Sequence, residues 1–99
     1  MASYIIAEVD VHDAAGFEEY RKLVPGTIAQ YGGRYIVRGG KSEVLEGDWT
    51  PKRIVILEFP DFERAREWWA SQEYAEPKKM RQRTARTNLV LVEGYAPPA

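Results

Sequence analysis

The sequence predicts an α+β domain in which a four-stranded antiparallel sheet carries its helices on one face. Four short segments are rich in alternating or continuous apolar residues, which indicates strands, and the segments between them carry apolar residues at helical spacing. Glycine pairs and a Pro-Asp step separate these segments and give the element order β-α-β-β-α-β. With 99 residues the chain has the size of one domain, so we assign residues 1–99 to a single domain.

The first strand and the first helix are predicted from alternation and from a helical stripe. Tyr4 to Val11 places apolar side chains on one face of a strand. Asp13 is a suitable N-cap for the helix that follows. Its apolar stripe consists of Phe17, Tyr20, Val24, Ile28 and Tyr31. We expect Pro25 to kink this helix and Gly32-Gly33 to end it.

The second and third strands are predicted to form the central hairpin. The second strand covers Arg34 to Arg38 and is followed by Gly39-Gly40, where we expect a bulge. A short extension at Glu43 to Glu46 leads to a turn around Gly47, and the third strand returns from Lys52 to Phe59.

The last part of the chain is predicted to add more helix and the fourth strand. Asp61 is the expected cap of a helix that contains adjacent tryptophans, of which only one can face the core. Glu73 to Ala85 is predicted as helix and Asn88 to Tyr95 as strand, and the tail from Ala96 to Ala99 is expected to fray.

Right-handed crossovers convert this element order into a sheet with strand order 4-1-3-2, which is the ferredoxin-like arrangement. Helices then cover one face and leave the other face open. The open face is predicted to carry Tyr4, Ile6, Glu8, Arg34, Ile36, Arg38, Ile54, Ile56, Glu58, Leu89, Leu91 and Glu93. Because a fully solvated face would not usually carry so many isoleucines and leucines, we expect a partner or a ligand cavity there.

Composition narrows the classes of function. The net charge of −1 disfavours a general binder of nucleic acid or of anionic membranes. The absence of cysteine excludes thiolate metal sites, and the single histidine excludes a site built mainly of histidines within one chain. No apolar run approaches the ~20 residues that span a bilayer, and the start of the chain does not resemble a secretory signal. We therefore expect a cytoplasmic protein without a metal or a cofactor.

The charged residues predicted for the open face are the strongest candidates for a site. Glu8, Arg38 and Glu58 are expected to converge there, with Arg38 holding an anion and the glutamates serving as acid or base. The alternative interpretation is a structural salt-bridge cluster at the rim of an interface. Glu93 is a weaker candidate of the same kind.

Other residues have both a functional and a structural interpretation. Trp49 and Arg53, in the turn of the central hairpin, either close the mouth of a partner's cavity or stabilise the turn. His12 is a lone histidine beside a helix cap, so a metal or haem site is disfavoured. An RNA-recognition role is also disfavoured, because the third strand offers Ile54, Ile56 and Glu58 on the open face in place of the aromatic residues that stack on bases.

Five sequence motifs resemble the domain-of-unknown-function 1330 family, within the dimeric α+β barrel superfamily. They are YGGRYIVRGG, EVLEGDW-P-R, LEFPDFERAREWW, S-EY and LVLVEG, and together they extend from about Tyr4 to Gly94. The sequence departs from the usual family pattern at Gln72 and Pro77. The resemblance implies a homodimer in which two open sheets pack face to face around a small barrel.

The superfamily includes cofactor-independent oxygenases and isomerases that act on small organic compounds, so the resemblance supports two hypotheses. The first is binding or turnover of a small carboxylate or aromatic molecule in the barrel cavity of the dimer, without a metal or redox cofactor. The second is a non-catalytic dimeric module. A closed cavity of at least ~300 Å³ lined by Glu8, Arg38 or Glu58 would favour the first hypothesis.

Overall fold

The computed structural model describes residues 1–96 and shows an antiparallel sheet with helices on one face. Its elements are β1 (Ser3–Val11), α1 (Ala14–Gln30), β2 (Arg34–Arg38), β3 (Ile54–Phe59), α2 (Phe62–Trp69), α3 (Gln72–Thr84) and β4 (Ala85–Glu93). The strand order β2-β3-β1-β4 is the predicted order 4-1-3-2 in reverse, so the predicted ferredoxin-like fold is confirmed. The predicted fraying of the tail concerns residues 97–99 in large part, and these lie outside the described residues.

Local capping sets the helix starts. The Asp13 carboxylate accepts a hydrogen bond from the Gly16 amide at 3.1 Å, and Asp61 accepts one from the Arg64 amide at 2.8 Å, so both predicted caps are confirmed. Ser71 caps α3 in the same way, which starts that helix at Gln72. The first helix continues through Pro25 to Gln30 as one element.

Pairing with the long first strand sets the bounds of β4. All nine residues of β4, from Ala85 to Glu93, lie opposite β1, so this strand begins and ends earlier than predicted. The third strand begins at Ile54 rather than Lys52, and residues 43–46 form no strand. The predicted extension of the central hairpin was therefore wrong, and an exposed loop takes its place.

The core lies between the sheet and the helices. Its buried members are Ile5, Ala7, Val9, Phe17, Tyr20, Val24, Ile28, Leu57, Phe59, Ala65, Trp68, Tyr74 and Ala85. Trp68 stacks on Tyr74 with ring centroids 4.1 Å apart, and its indole N–H donates to the Thr27 hydroxyl at 3.0 Å. Trp69 is exposed, so only one of the adjacent tryptophans enters the core, as predicted. Within residues 1–96 no helix is long and apolar enough to cross a membrane.

The predicted assignment of the β4 side chains to the two faces of the sheet was wrong. Leu91 lies opposite Ile5 and Leu89 lies opposite Ala7, so both leucines belong to the covered face. Glu93 lies opposite Ser3 on that same face, and the open face of β4 instead carries Asn88, Val90 and Val92. Both parities of this strand are apolar, so only its register with β1 distinguishes them.

The side assignment at the end of β2 was also wrong. Tyr35 lies opposite Leu57, but the next paired residue is Val37, opposite Ile56. Ile36 is therefore an extra residue in a bulge, which lies earlier in the chain than the predicted bulge at Gly39-Gly40. Because one inserted residue reverses the parity, Val37 shares the open face with Ile56, and Arg38 shares the covered face with Val55.

Candidate functional site

On the open face, Glu58 is part of a hydrogen-bonded cluster at the β2–β3–β1 junction. Arg34 Nε donates to its carboxylate at 2.8 Å, and Tyr4 lies opposite Glu58 on the neighbouring strand β1. The Arg34 hydrogen bond, with a further contribution from Tyr4, lowers the pKa of Glu58. Glu58 is thus an ionised group with partners inside its own chain.

Glu8 belongs to a second cluster on the same face. Its two carboxylate oxygens accept from the Trp49 indole N–H at 2.8 Å and from the Asn88 amide at 3.2 Å. Glu8 pairs with Ile54, whereas Glu58 pairs with Tyr4, four residues away along β1. At about 3.3 Å per residue the two glutamates are roughly 13 Å apart along the strand. The structure therefore does not bring them together as an acid–base pair.

Arg38 lies on the other side of the sheet from both glutamates. The bulge in β2 directs it toward the helices, and its guanidinium lies over the Tyr35 ring, 4.3 Å from the centroid. The predicted convergence of Arg38 with Glu8 and Glu58 was wrong for this reason. Its predicted role in holding an anion is separate from that geometry and stays a prediction.

Arg53 reaches the covered face from the start of β3. Its carbonyl accepts from the Val9 amide at 2.8 Å, and its guanidinium lies 5.9 Å from the Phe17 ring centroid. Gly39 allows this placement. Its φ of +68° favours glycine, and a Cβ there would lie 2.8 Å from the guanidinium carbon of Arg53. The loop after β2 thus positions Arg53 beside the residues of that strand.

Arg21 from α1 joins Arg38 and Arg53, and we call these three residues the arginine cluster. Burial lowers the pKa of Arg53, and the positive charges of Arg21 and then Arg38 lower it further. Arg21 pairs with Glu18 at 2.9 Å. Among residues 1–96, Arg38 and Arg53 have no carboxylate within the 4.0 Å of an ion pair. The cluster therefore holds three cations and one carboxylate partner.

The Nε atoms of Arg21 and Arg53 are a second sign of incomplete pairing. Both are buried, and neither has a hydrogen-bond partner among the described residues. Buried N–H donors are normally paired with an acceptor, so we expect a hydrogen-bond acceptor near each of these two Nε atoms. An anion with several oxygens would supply it.

The arginine cluster borders a small cavity between the sheet and the helices. The cavity has a volume of about 50 Å³, and its polar lining includes Tyr20, Tyr35, Tyr74 and the three arginines. This volume has room for a few waters or for one end of a small molecule. Arg38 lines this cavity without Glu8 or Glu58, and the cavity lies within one chain, so it is not the barrel cavity between two protomers to which the ~300 Å³ criterion applies.

Sequence reasoning named Arg38 and Arg53 as candidates but missed Arg21 and the tyrosines of this site. Tyr20 was assigned to the core stripe, and Arg21, four residues after Phe17, was not singled out. The i, i+4 spacing places Arg21 on the edge of the apolar stripe, which is the one local signal for it. His12 is exposed at the end of β1, and no cluster of three or more acidic or histidine side chains within residues 1–96 is arranged to hold a metal ion.

Comparison with known proteins gives a family and a fold. A family model described as a domain of unknown function (DUF1330) matches residues 2–95. The crystal structure of RPA0582, a protein of unknown function from Rhodopseudomonas palustris, matches with a TM-score of 0.77 and 19% identity, over 97% of this chain and 84% of that one. Comparison with the curated proteins gave no match.

Two further structures share the fold at lower identity. A dimeric ferredoxin-like protein of unknown function from Jannaschia sp. CCS1 has a TM-score of 0.70 and 13% identity, over 95% of this chain and 100% of that one. SnoaB, a cofactor-independent oxygenase from Streptomyces nogalater, has a TM-score of 0.65 and 12% identity, over 97% and 95% of the two chains. At these identities the likeness shows the fold alone.

Proposed function

The chain belongs to the domain-of-unknown-function 1330 family, and we propose that it binds a small organic anion, such as a carboxylate, at the arginine cluster. The observation that carries this proposal is the excess of charge: Arg21, Arg38 and Arg53 approach one another, and within residues 1–96 Glu18 is the one carboxylate that pairs with them. Arg21 and Arg53 are half-buried and Arg38 is exposed. The like charges around Arg53 repel each other, and a bound anion would relieve that repulsion.

The chemistry of the cluster suits a carboxylate. A guanidinium presents parallel N–H donors that match the two oxygens of a carboxylate, and such charge-assisted bonds are stronger than neutral ones. The unpaired Nε donors of Arg21 and Arg53 offer two of these positions. The adjoining cavity of about 50 Å³ limits the buried part of the ligand to a few atoms.

Binding is better supported than turnover. The two glutamates considered as acid or base, Glu8 and Glu58, are engaged in hydrogen bonds on the open face of the sheet. SnoaB is described as an oxygenase, but its likeness to this chain shows only a common fold. An anion-binding protein without an assigned reaction is therefore the function that this geometry supports best.

We propose in addition that the open face joins two copies of the chain in a homodimer. The exposed fractions of Ile6, Ile36, Val90 and Val92 are 36, 43, 55 and 43%. A contiguous apolar surface of this kind is unfavourable in water, and burying it against a second sheet would remove that cost. The description of the Jannaschia protein as dimeric supports this arrangement.

The anion-binding proposal is tested by titrating the protein with propionate and following its amide NMR signals. We expect shifts at residues around the cluster. Arg53→Met should weaken binding at least tenfold, because a hydrogen bond to a charged group contributes about 1.5–3 kcal/mol. Arg83→Met is the matched control, since Arg83 is an exposed residue of α3 outside the cluster. Equal affinity in all three proteins would contradict the proposal.

A further inference from the structure

A chain of hydrogen bonds leads from α3 toward the same cavity. Arg81 Nε donates to the Tyr74 hydroxyl oxygen at 3.2 Å, and the hydroxyl oxygens of Tyr74 and Tyr20 are 2.9 Å apart. The exposed fractions of Arg81, Tyr74 and Tyr20 are 7, 0 and 9%, so bulk water supplies few partners. All three residues line the cavity that borders the arginine cluster.

These three side chains have more donor hydrogens than there are hydrogen bonds between them. A guanidinium N–H can only donate, whereas each phenol can donate one hydrogen and accept others. Arg81 donates its Nε hydrogen to the Tyr74 oxygen. The hydrogen bond between Tyr74 and Tyr20 uses one of the two hydroxyl hydrogens. One hydroxyl hydrogen is therefore left over, and neither hydroxyl has another hydrogen-bond partner within residues 1–96.

The direction of the chain identifies the free hydrogen. Tyr74 accepts from a cation, which polarises its O–H bond and makes it the stronger donor of the two phenols. The favoured arrangement thus runs from Arg81 to Tyr74 to Tyr20, with each group donating to the next. The hydrogen without an acceptor is then that of Tyr20, at the cavity.

We propose that Tyr20 donates this hydrogen to the ligand, so that the bound anion carries a second oxygen acceptor beside its carboxylate, as a small oxo acid does. This inference rests on the proposed function, because the arginine cluster holds the carboxylate while Tyr20 selects for the additional oxygen. Burial and then the neighbouring Tyr74 raise the pKa of Tyr20 far above its usual value, which keeps the hydroxyl protonated and able to donate.

The test compares two anions of similar size, pyruvate and propionate, which differ by a carbonyl oxygen. Titration calorimetry on the full chain at pH 7 should show that pyruvate binds about fivefold more tightly, which is the usual effect of one neutral hydrogen bond. Equal affinity for the two anions would overturn the inference and leave the proposed function standing. Binding of neither anion would overturn both.

Two variants then assign the donor. Tyr20→Phe should abolish the preference for pyruvate and leave the affinity for propionate unchanged, while Tyr74→Phe should keep most of the preference. Weaker binding of both anions to Tyr20→Phe would show that the hydroxyl contacts the carboxylate, which contradicts the inference. Loss of the preference in Tyr74→Phe alone would assign the free hydrogen to Tyr74 and overturn the role of Tyr20. Near-ultraviolet circular dichroism confirms that each variant is folded, and the preference of the unmodified protein is decisive where a variant is not.

Discussion

The two faces of the sheet differ in what they leave unsatisfied. On the open face Arg34 and Glu58 pair at 2.8 Å and Glu8 accepts two hydrogen bonds, while apolar side chains such as Val90 face solvent. On the covered face the apolar side chains are buried by the helices, while Arg38 and Arg53 have no carboxylate partner among residues 1–96. One face thus lacks apolar cover and the other lacks negative charge.

This difference indicates which kind of partner suits each face. Exposed apolar area is buried when it packs against another apolar surface, and the open face of a second copy of the chain is such a surface. Unpaired guanidinium groups are compensated by an anion, which needs little area but well-placed oxygens. The predicted open-face site joined these two requirements, whereas the structure assigns them to opposite faces.

The largest expected effect comes from a charge at the centre of the open face. Ile56→Asp should convert the proposed dimer into a monomer, because burying an unpaired carboxylate in an apolar interface costs several kcal/mol. Light scattering at micromolar concentration measures this. Leu23→Asp is the matched control, since Leu23 is an exposed apolar residue on α1. A dimeric Ile56→Asp protein, or a monomeric unmodified protein, would show that the open face is not the interface.

A smaller effect separates the paired arginine from the unpaired one. Arg34→Met removes the partner of Glu58 and should lower the free energy of unfolding only slightly, as is usual for a pair open to solvent. Arg38→Met relieves repulsion within the cluster, so its stability without ligand should be unchanged or higher. Urea denaturation of the two variants measures both values. A loss of stability in Arg38→Met that exceeds the loss in Arg34→Met would mean that Arg38 has a structural role.

The smallest effect is a pH dependence on the open face. The Arg34 hydrogen bond lowers the pKa of Glu58 in the folded protein, so the unfolded chain takes up this proton first as the pH falls. The resulting stabilisation is complete above the ordinary glutamate pKa of about 4.3 and is lost as the pH falls through the folded value.

The Glu58→Gln variant checks this dependence. Its melting temperature should fall less between pH 6 and pH 3 than that of the unmodified protein. Glu43→Gln, in the exposed loop after β2, is the control and should behave like the unmodified protein. An unchanged acid response in Glu58→Gln would show that the Arg34–Glu58 pair does not contribute to stability.

Structural features that depend on residues close together in the sequence could be predicted from the sequence. Asp13 and Asp61 cap their helices because the capping hydrogen bonds join residues three apart. The alternation of Ile5, Ala7 and Val9 assigned β1 to the correct face, since only one of its parities is suited to the core. The strand order followed from the element order and the handedness of crossovers.

The location of the candidate site depended on contacts between distant parts of the chain. Apolar residues on both parities left the orientation of β4 open until its register with β1 resolved it. In β2, one extra residue at Ile36 moved Arg38 from the open face to the covered face, where Arg21 and Arg53 lie. Side chains alternate with a period of two along a strand, so a shift of one residue reverses every later assignment. Such a shift arises from pairing between strands, which local sequence patterns do not specify.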